Sequence, residues 1–123
     1  MNLMQMRCQD KSRWDHCTLN AWEVAKVLHQ QYKNTVRYID KNTWEYLDTS
    51  DGLWKKDNKY LSNIKKFFIL DSRVQIAERC VEINNSAEDD ICYDITRLIA
   101  LSNYLSKHFT TIINEAREFF AIT

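Results

Sequence analysis

Proline is missing from this chain, and glycine occurs once, at Gly52. These two residues supply rigid corners and left-handed turns, so sandwiches, barrels and other folds with many tight turns are disfavoured. The same shortage excludes two nucleotide-binding devices, because a Walker A loop or a dinucleotide fingerprint needs two or three glycines within about eight residues. No apolar run approaches the roughly 18 residues of a membrane span. Arg7, Asp10, Lys11 and Arg13 interrupt the Met-rich start MNLMQMRCQD, so no signal peptide is read there. Net charge is lacking too: Lys plus Arg and Asp plus Glu both number 17, and bulk electrostatics favour neither nucleic acid nor membrane. The four cysteines (Cys8, Cys17, Cys80, Cys92) have no CxxC spacing, and reduced thiols in a soluble, intracellular protein are the expectation.

What is present is a chain of 123 residues, 45% hydrophobic, with four Trp, six Tyr and five Phe. That length suffices for one domain with a core that needs no disulfide staples. Charge is unevenly spread. Residues 53–81 carry seven basic and three acidic side chains, whereas residues 82–96 carry five acids (Glu82, Glu88, Asp89, Asp90, Asp94) and no base.

Periodicity divides the chain. Residues 1–18 show none and are read as an irregular arm with one helical turn near Trp14. Asn20 followed by Glu23 resembles a capping box, and Ala21, Val24, Ala25, Leu28 and Tyr32 recur at helical spacing, which predicts a helix over 21–33. The period then becomes alternating: Thr35 to Ile39, Thr43 to Leu47 and Leu53 to Lys55 are separated by Asp/Asn/Ser/Gly clusters. This predicts a three-stranded antiparallel meander over 35–56, packed on a helix, most simply the preceding one. Asp57 or Asn58 can cap the next helix. Tyr60, Leu61, Ile64, Phe67 and Phe68 form its face, a break is expected near Leu70 to Ser72, and Val74, Ala77, Cys80 and Val81 follow. Ser86 reads as an N-cap with Glu88, Asp89 and Asp90 in the first turn. Ile91, Ile95, Leu98 and Ile99 precede a junction at Ser102-Asn103, and Leu105, Phe109, Ile112, Ala116, Phe119 and Phe120 form the last face. The fold class expected is α+β, predominantly helical: one helix, the meander, then four helices, with residues 19–123 as a single domain.

Candidate chemistry is sparse. His16, His29 and His108 lie in separate segments, and none stands beside a Ser or carboxylate at a spacing that assigns a catalytic role. Cys8 with His16-Cys17 makes at most half a zinc site, and Cys80 reads as a buried structural thiol. Glu88, Asp89 and Asp90 point about 100° apart on a helix, so a solvated turn fits better than a metal site. No cofactor and no catalytic residue is therefore assigned. Lys55, Lys56, Lys59, Lys65, Lys66 and Arg73 are interleaved with Trp54, Tyr60, Phe67 and Phe68, a pattern that can track a nucleic-acid backbone; the plainer alternative is the wet face of an amphipathic helix. Trp44, Tyr46 and Trp54 in the hairpin are either packing anchors or a partner-facing display.

The stretch AWEVAKVLHQQYKNTVRYIDKNTWEYLDTSDGLWKK, residues 21–56, resembles the domain that precedes the helicase in poxvirus-type primase-helicases of large DNA viruses, phages and plasmids. Ala25, Tyr32, Trp44, Tyr46, Leu47, Gly52, Trp54 and Lys55 fill the places of that pattern. IKKFF at 64–68 and LIALSNYLSKHFTTIINEAREFF at 98–120 resemble its later helices, so the likeness spans about residues 20–120. These residues contain neither a primase acid motif nor a Walker A loop, and the activities of such replication proteins are not carried over. The resemblance implies a non-catalytic accessory or linker module with weak, sequence-tolerant nucleic-acid binding. Its partners would be single-stranded or primer-template DNA and a helicase or primase subunit. Self-association is allowed, no membrane is involved, and the location would be the host cytoplasm if the protein is viral. The alternative is a small viral or phage interaction module that inhibits or recruits a host or replication factor through the aromatic hairpin or the acidic 82–94 segment.

Overall fold

The computed structural model describes residues 10–86 and 91–122, with the backbone alone for 91–93. A 3₁₀ turn at Lys11–His16 leads to α1 (Ala21–Tyr32), then strands β1 (Val36–Asp40), β2 (Thr43–Asp48) and β3 (Leu53–Lys56). A long helical stretch follows, made of α2 (Ser62–Lys65), a π segment (Lys66–Asp71) and α3 (Ser72–Asn84). It is succeeded by α4 (Ile91–Lys107) and α5 (Phe109–Phe120). The order is that expected from sequence: helix, antiparallel meander, helices. Among the described residues no helix is long and apolar enough to cross a membrane.

α1 starts where Asn20 accepts hydrogen bonds from the N–H groups of Trp22 and Glu23 at 3.0 and 3.1 Å. The reciprocal half of a capping box is not formed. Asn20 N–H goes to the Thr18 carbonyl, and Glu23 pairs with Lys26 at 3.4 Å. The helix buries Val24, Ala25, Val27, Leu28, Gln31 and Tyr32, chiefly against α5.

The sheet order is β1-β2-β3. Val36 opposes Tyr46, Tyr38 opposes Trp44, and Tyr46 opposes Lys55, so these side chains share one face. Arg37, Glu45 and Lys56 form a cross-strand row on the other face, beside the pair Leu47 and Trp54. Lys41 and Asn42 both have positive φ, 46° and 64°, which closes the first hairpin in the mirror-image turn that matches strand twist. Gly52, at φ 74°, closes the second.

The sheet does not pack on the preceding helix as expected. Trp44, 2% exposed, lies edge-on to Phe68 of the π segment and Phe120 of α5, at 6.1 and 5.8 Å between ring centroids. α1 already spends its apolar face on α5, so the meander is seated on the later helices. The break expected near Leu70 to Ser72 is the end of the π segment. Ser72 donates through both N–H and Oγ to the Phe67 carbonyl, and the helix continues with its register shifted. The junction expected at Ser102-Asn103 falls instead at His108, because Leu101 and Leu105 carry the buried face of α4 straight through.

The arm ahead of Asn20 joins the core. Trp14 is fully buried, and its Nε1–H donates to Gln75 Oε1 at 3.0 Å. Gln31 Nε2 donates to the same oxygen at 3.0 Å and to the Asp10 carbonyl, while Gln75 Nε2 donates to Tyr32 Oη at 2.9 Å. Tyr32 in turn donates to Asp71 at 2.6 Å. Burial, with Asp71 adding to it, pushes the Tyr32 phenol well above its ordinary range.

Candidate nucleic-acid interface

The basic stretch begins at the edge strand β3 and runs over the start of α2. Within residues 56–66 the one acid is Asp57, and it is 6% exposed. Its carboxylate accepts from the N–H groups of Asn58, Asn63 and Ile64 at 2.8 to 3.2 Å and from Asn63 Nδ2 at 2.9 Å. Asn58 Oδ1 takes the N–H groups of Tyr60 and Ser62 at 3.0 and 3.2 Å, so both of the alternative capping side chains bond N–H groups at the helix start, although Leu61 holds the N-cap position. The positive end of the helix offsets the charge of Asp57. Between these clamps Leu61 is held at φ 56°, a left-handed conformation a bulky residue seldom adopts, and Tyr60 is turned out to 66% exposure.

The consequence is four exposed cations, Lys56, Lys59, Lys65 and Lys66, none within ion-pair distance of a carboxylate among the described residues. The Lys59 ammonium sits 5.0 Å over the Tyr60 ring, and that of Lys65 5.4 Å over Phe109. The other two basic candidates differ. Lys55 is half-buried and bonded to Asp48 at 2.6 Å and Asp51 at 2.9 Å. These bonds hold both carboxyls below their usual range and raise the ammonium above its own. Arg73 is turned onto α4, where Nε and Nη1 donate to Ser102 and Ser106, each at 3.0 Å.

The aromatic candidates are split by the sheet. Trp44 and Tyr46 lie on the core side, and Trp44 cannot reach a partner. Trp54 lies on the outer side, half-buried, with the Arg37 guanidinium 4.1 Å over its ring. Arg37 is itself fixed by Glu45 at 2.7 Å. Sequence reading did not single out Arg37 or Lys33; the alternation of Arg37 with Val36 and Tyr38 was the signal that it faces outward.

The remaining candidates do not converge. His16 is exposed beside Asp15, which is bonded bidentately to Arg79 at 2.6 to 3.1 Å in a charged cleft that also holds Glu82, Asp94 and Arg97. Cys17 is buried, and desolvation pushes its thiol up to about 12, unfavourable for a metal-binding thiolate. Cys80 packs against the core but is partly buried, short of the buried thiol its position suggested. No group of three or more His, Cys, Asp or Glu side chains able to hold a metal occurs among the described residues. Cys8, the side chain of Cys92 and the acids Glu88, Asp89 and Asp90 fall outside what is described. Ser86 closes α3, its Oγ donating to the Ile83 carbonyl at 2.7 Å. Compared with protein-family models, curated proteins and solved structures, the chain matches none.

Proposed function

We propose that this chain is a non-catalytic accessory module of a viral or mobile-element DNA replication protein, working inside the cell and holding nucleic acid weakly through Lys56, Lys59, Lys65 and Lys66. The observation that carries the binding is the fate of Asp57. The one acid in the lysine stretch is buried and committed to the α2 N-terminus, so the surface there is left with cations alone. The replication context rests on the resemblance of residues 20–120 to the domain before the helicase in primase-helicases, and a helicase or primase subunit is the protein partner that context implies. Contacts from flexible lysines to phosphates give affinity without sequence preference and with strong salt dependence.

Fluorescence anisotropy of labelled single-stranded and primer-template DNA at two salt concentrations tests this. If three lysines each neutralise a phosphate, the log of affinity for a single strand falls with log salt at a slope of about −2. A K56E/K59E/K66E variant should abolish binding while keeping its helical circular dichroism. No binding by the native protein at low salt would overturn the reading.

A second reading, a protein-interaction module, is favoured by α3 and the turn before it. Leu70, Val74, Ala77 and Val81 are exposed and spaced 4-3-4, the seam of a helix pair. The stripe is symmetric about its midpoint, so an antiparallel second copy would set Leu70 on Val81 and Val74 on Ala77. A sedimentation series that stays monomeric at every concentration, with no change on Val74→Glu, removes this version.

A further inference from the structure

We propose that a groove beside the outer face of the sheet is a stacking site for an unpaired base, which makes single-stranded nucleic acid the preferred ligand of the module. This deepens the reading above and rests on it. The groove has a volume of about 300 Å³ and lies between the end of α1, the β1 edge and residues 119–122. His29, Lys33, Arg37, Trp54 and Phe119 line it, and among the described residues no carboxylate does. The edge of the sheet is closed there by the tail: Ile122 N–H donates to the Tyr38 carbonyl at 3.1 Å, and Ala121 bridges Tyr38.

Each wall supplies something a nucleotide needs. Trp54 is a ring whose position is fixed by Arg37 above it, and Arg37 is fixed by Glu45, so the platform is rigid before any ligand arrives. Phe119 adds a second ring, 5.6 Å from the partly exposed Trp22. His29 packs against Phe119 and Phe120 at 6.0 and 5.0 Å between centroids. Burial, assisted by Lys33, lowers its pKa, so it presents a neutral imidazole at pH 7. Lys33 is exposed and has no carboxylate within ion-pair distance among the described residues, which leaves its charge for a phosphate. The groove is therefore aromatic within and cationic at the rim, the chemistry of a base joined to a phosphate.

Across the outer face, Arg37 of the groove shares a cross-strand row with the start of the lysine stretch. Arg37, Glu45 and Lys56 form one cross-strand row on the outer face, and Lys56 is the first of the four free lysines. A strand with a base on Trp54 has its backbone led across this row, where the charge of Glu45 is already met by Arg37, toward Lys59. A duplex, whose bases are already stacked on each other, can use the lysines but not the groove.

Three probes of equal length test this on the intact protein: oligothymidylate of roughly ten nucleotides, the same strand with abasic sites, and a hairpin duplex. Native protein should bind the thymidylate about tenfold more tightly than the abasic strand, a comparison that needs no variant. Trp54→Ala should erase that preference and leave duplex binding unchanged, and Trp54→Phe should restore most of it. Equal affinity for the thymidylate and abasic strands overturns the stacking site. So does a folded Trp54→Ala protein that keeps native affinity, even where K56E/K59E/K66E has lost all binding and the phosphate reading stands. Failure of the native protein to bind any of the three at low salt overturns both, and points to a protein partner.

Discussion

Trp44 and Trp54 stand on neighbouring strands of one small sheet, and their surroundings have nothing in common. Trp44 is enclosed by Phe68, Phe120 and Tyr38 at 5.0 to 6.1 Å. Trp54 carries a guanidinium over its ring and lines an open groove. The inner face is over-determined by packing, whereas the outer face is held by a single chain of polar contacts from Glu45 through Arg37. Two residues of the same type thus serve stability on one side and availability on the other. The difference comes from strand register rather than from the residues themselves.

The sharpest test of that contrast is truncation of each ring. Trp44→Ala removes a fully packed indole and should cost about 3–5 kcal/mol, measured by urea denaturation. Trp54→Ala loses partial burial and one cation–π contact and should cost about 1 kcal/mol. Equal losses would mean that the outer ring is structural after all.

The next largest effect should come from the polar layer that ties the N-terminal turn to the helices. Gln75→Ala strands Trp14 Nε1, takes from Gln31 Nε2 one of its two bonds and removes part of the bonding of Tyr32, all buried. Unsatisfied buried groups cost about 1–3 kcal/mol each, with partial relief by water. A loss of about 2–4 kcal/mol is expected, with nucleic-acid affinity unchanged, since no lysine of the stretch touches this layer. A change in affinity would join two regions that the contacts keep apart.

Alternation made the three strands legible in the sequence and helical spacing made α1 legible, because one face of each must be apolar. Which face Trp54 took was not legible. Parity along a strand is fixed, but the loop 49–52 resets it, and only the pairing of Leu47 with Trp54 shows that it sits opposite Trp44 and Tyr46. The turn near Trp14 was legible but the burial of Trp14 was not, because a 3₁₀ turn repeats every three residues, and its one buried repeat, Trp14 to Cys17, is too short to register as a period. Gln31 and Gln75 look like surface residues in any window, since polar pairs that satisfy one another across α1 and α3 leave no local signal. The lysine stretch was visible as composition. The removal of Lys55 into ion pairs with Asp48 and Asp51, and the burial of Asp57, depend on turn geometry.

The buried thiol extends the contrast into pH. Cys17 has an ordinary value of 9.0 and is raised to about 12 by burial, so the folded state holds its proton more tightly than the unfolded one. That stabilisation is complete below pH 9 and is lost as pH rises toward 12, at a limiting slope of about 1.4 kcal/mol per pH unit for one proton. Cys17→Ala should flatten the fall in stability between pH 9 and 10, where the phenol of Tyr32, with an ordinary value of 10.0, contributes less than the thiol. An unchanged alkaline limb in urea titrations would show that Cys17 is not enclosed as the interior face requires.

The smallest effect should be a gain. The β1-β2 turn places Lys41 and Asn42 at positive φ, a conformation Gly adopts without a side-chain penalty and Lys or Asn does not. Asn42→Gly should raise stability by about 0.5–1 kcal/mol. This turn carries both faces of the sheet and touches neither the groove nor the lysines, so affinity for oligothymidylate should not move. If a stiffer hairpin bound more tightly, the outer face would be paying an ordering cost on binding, and the Glu45–Arg37–Trp54 chain would not hold the platform ready as the geometry indicates.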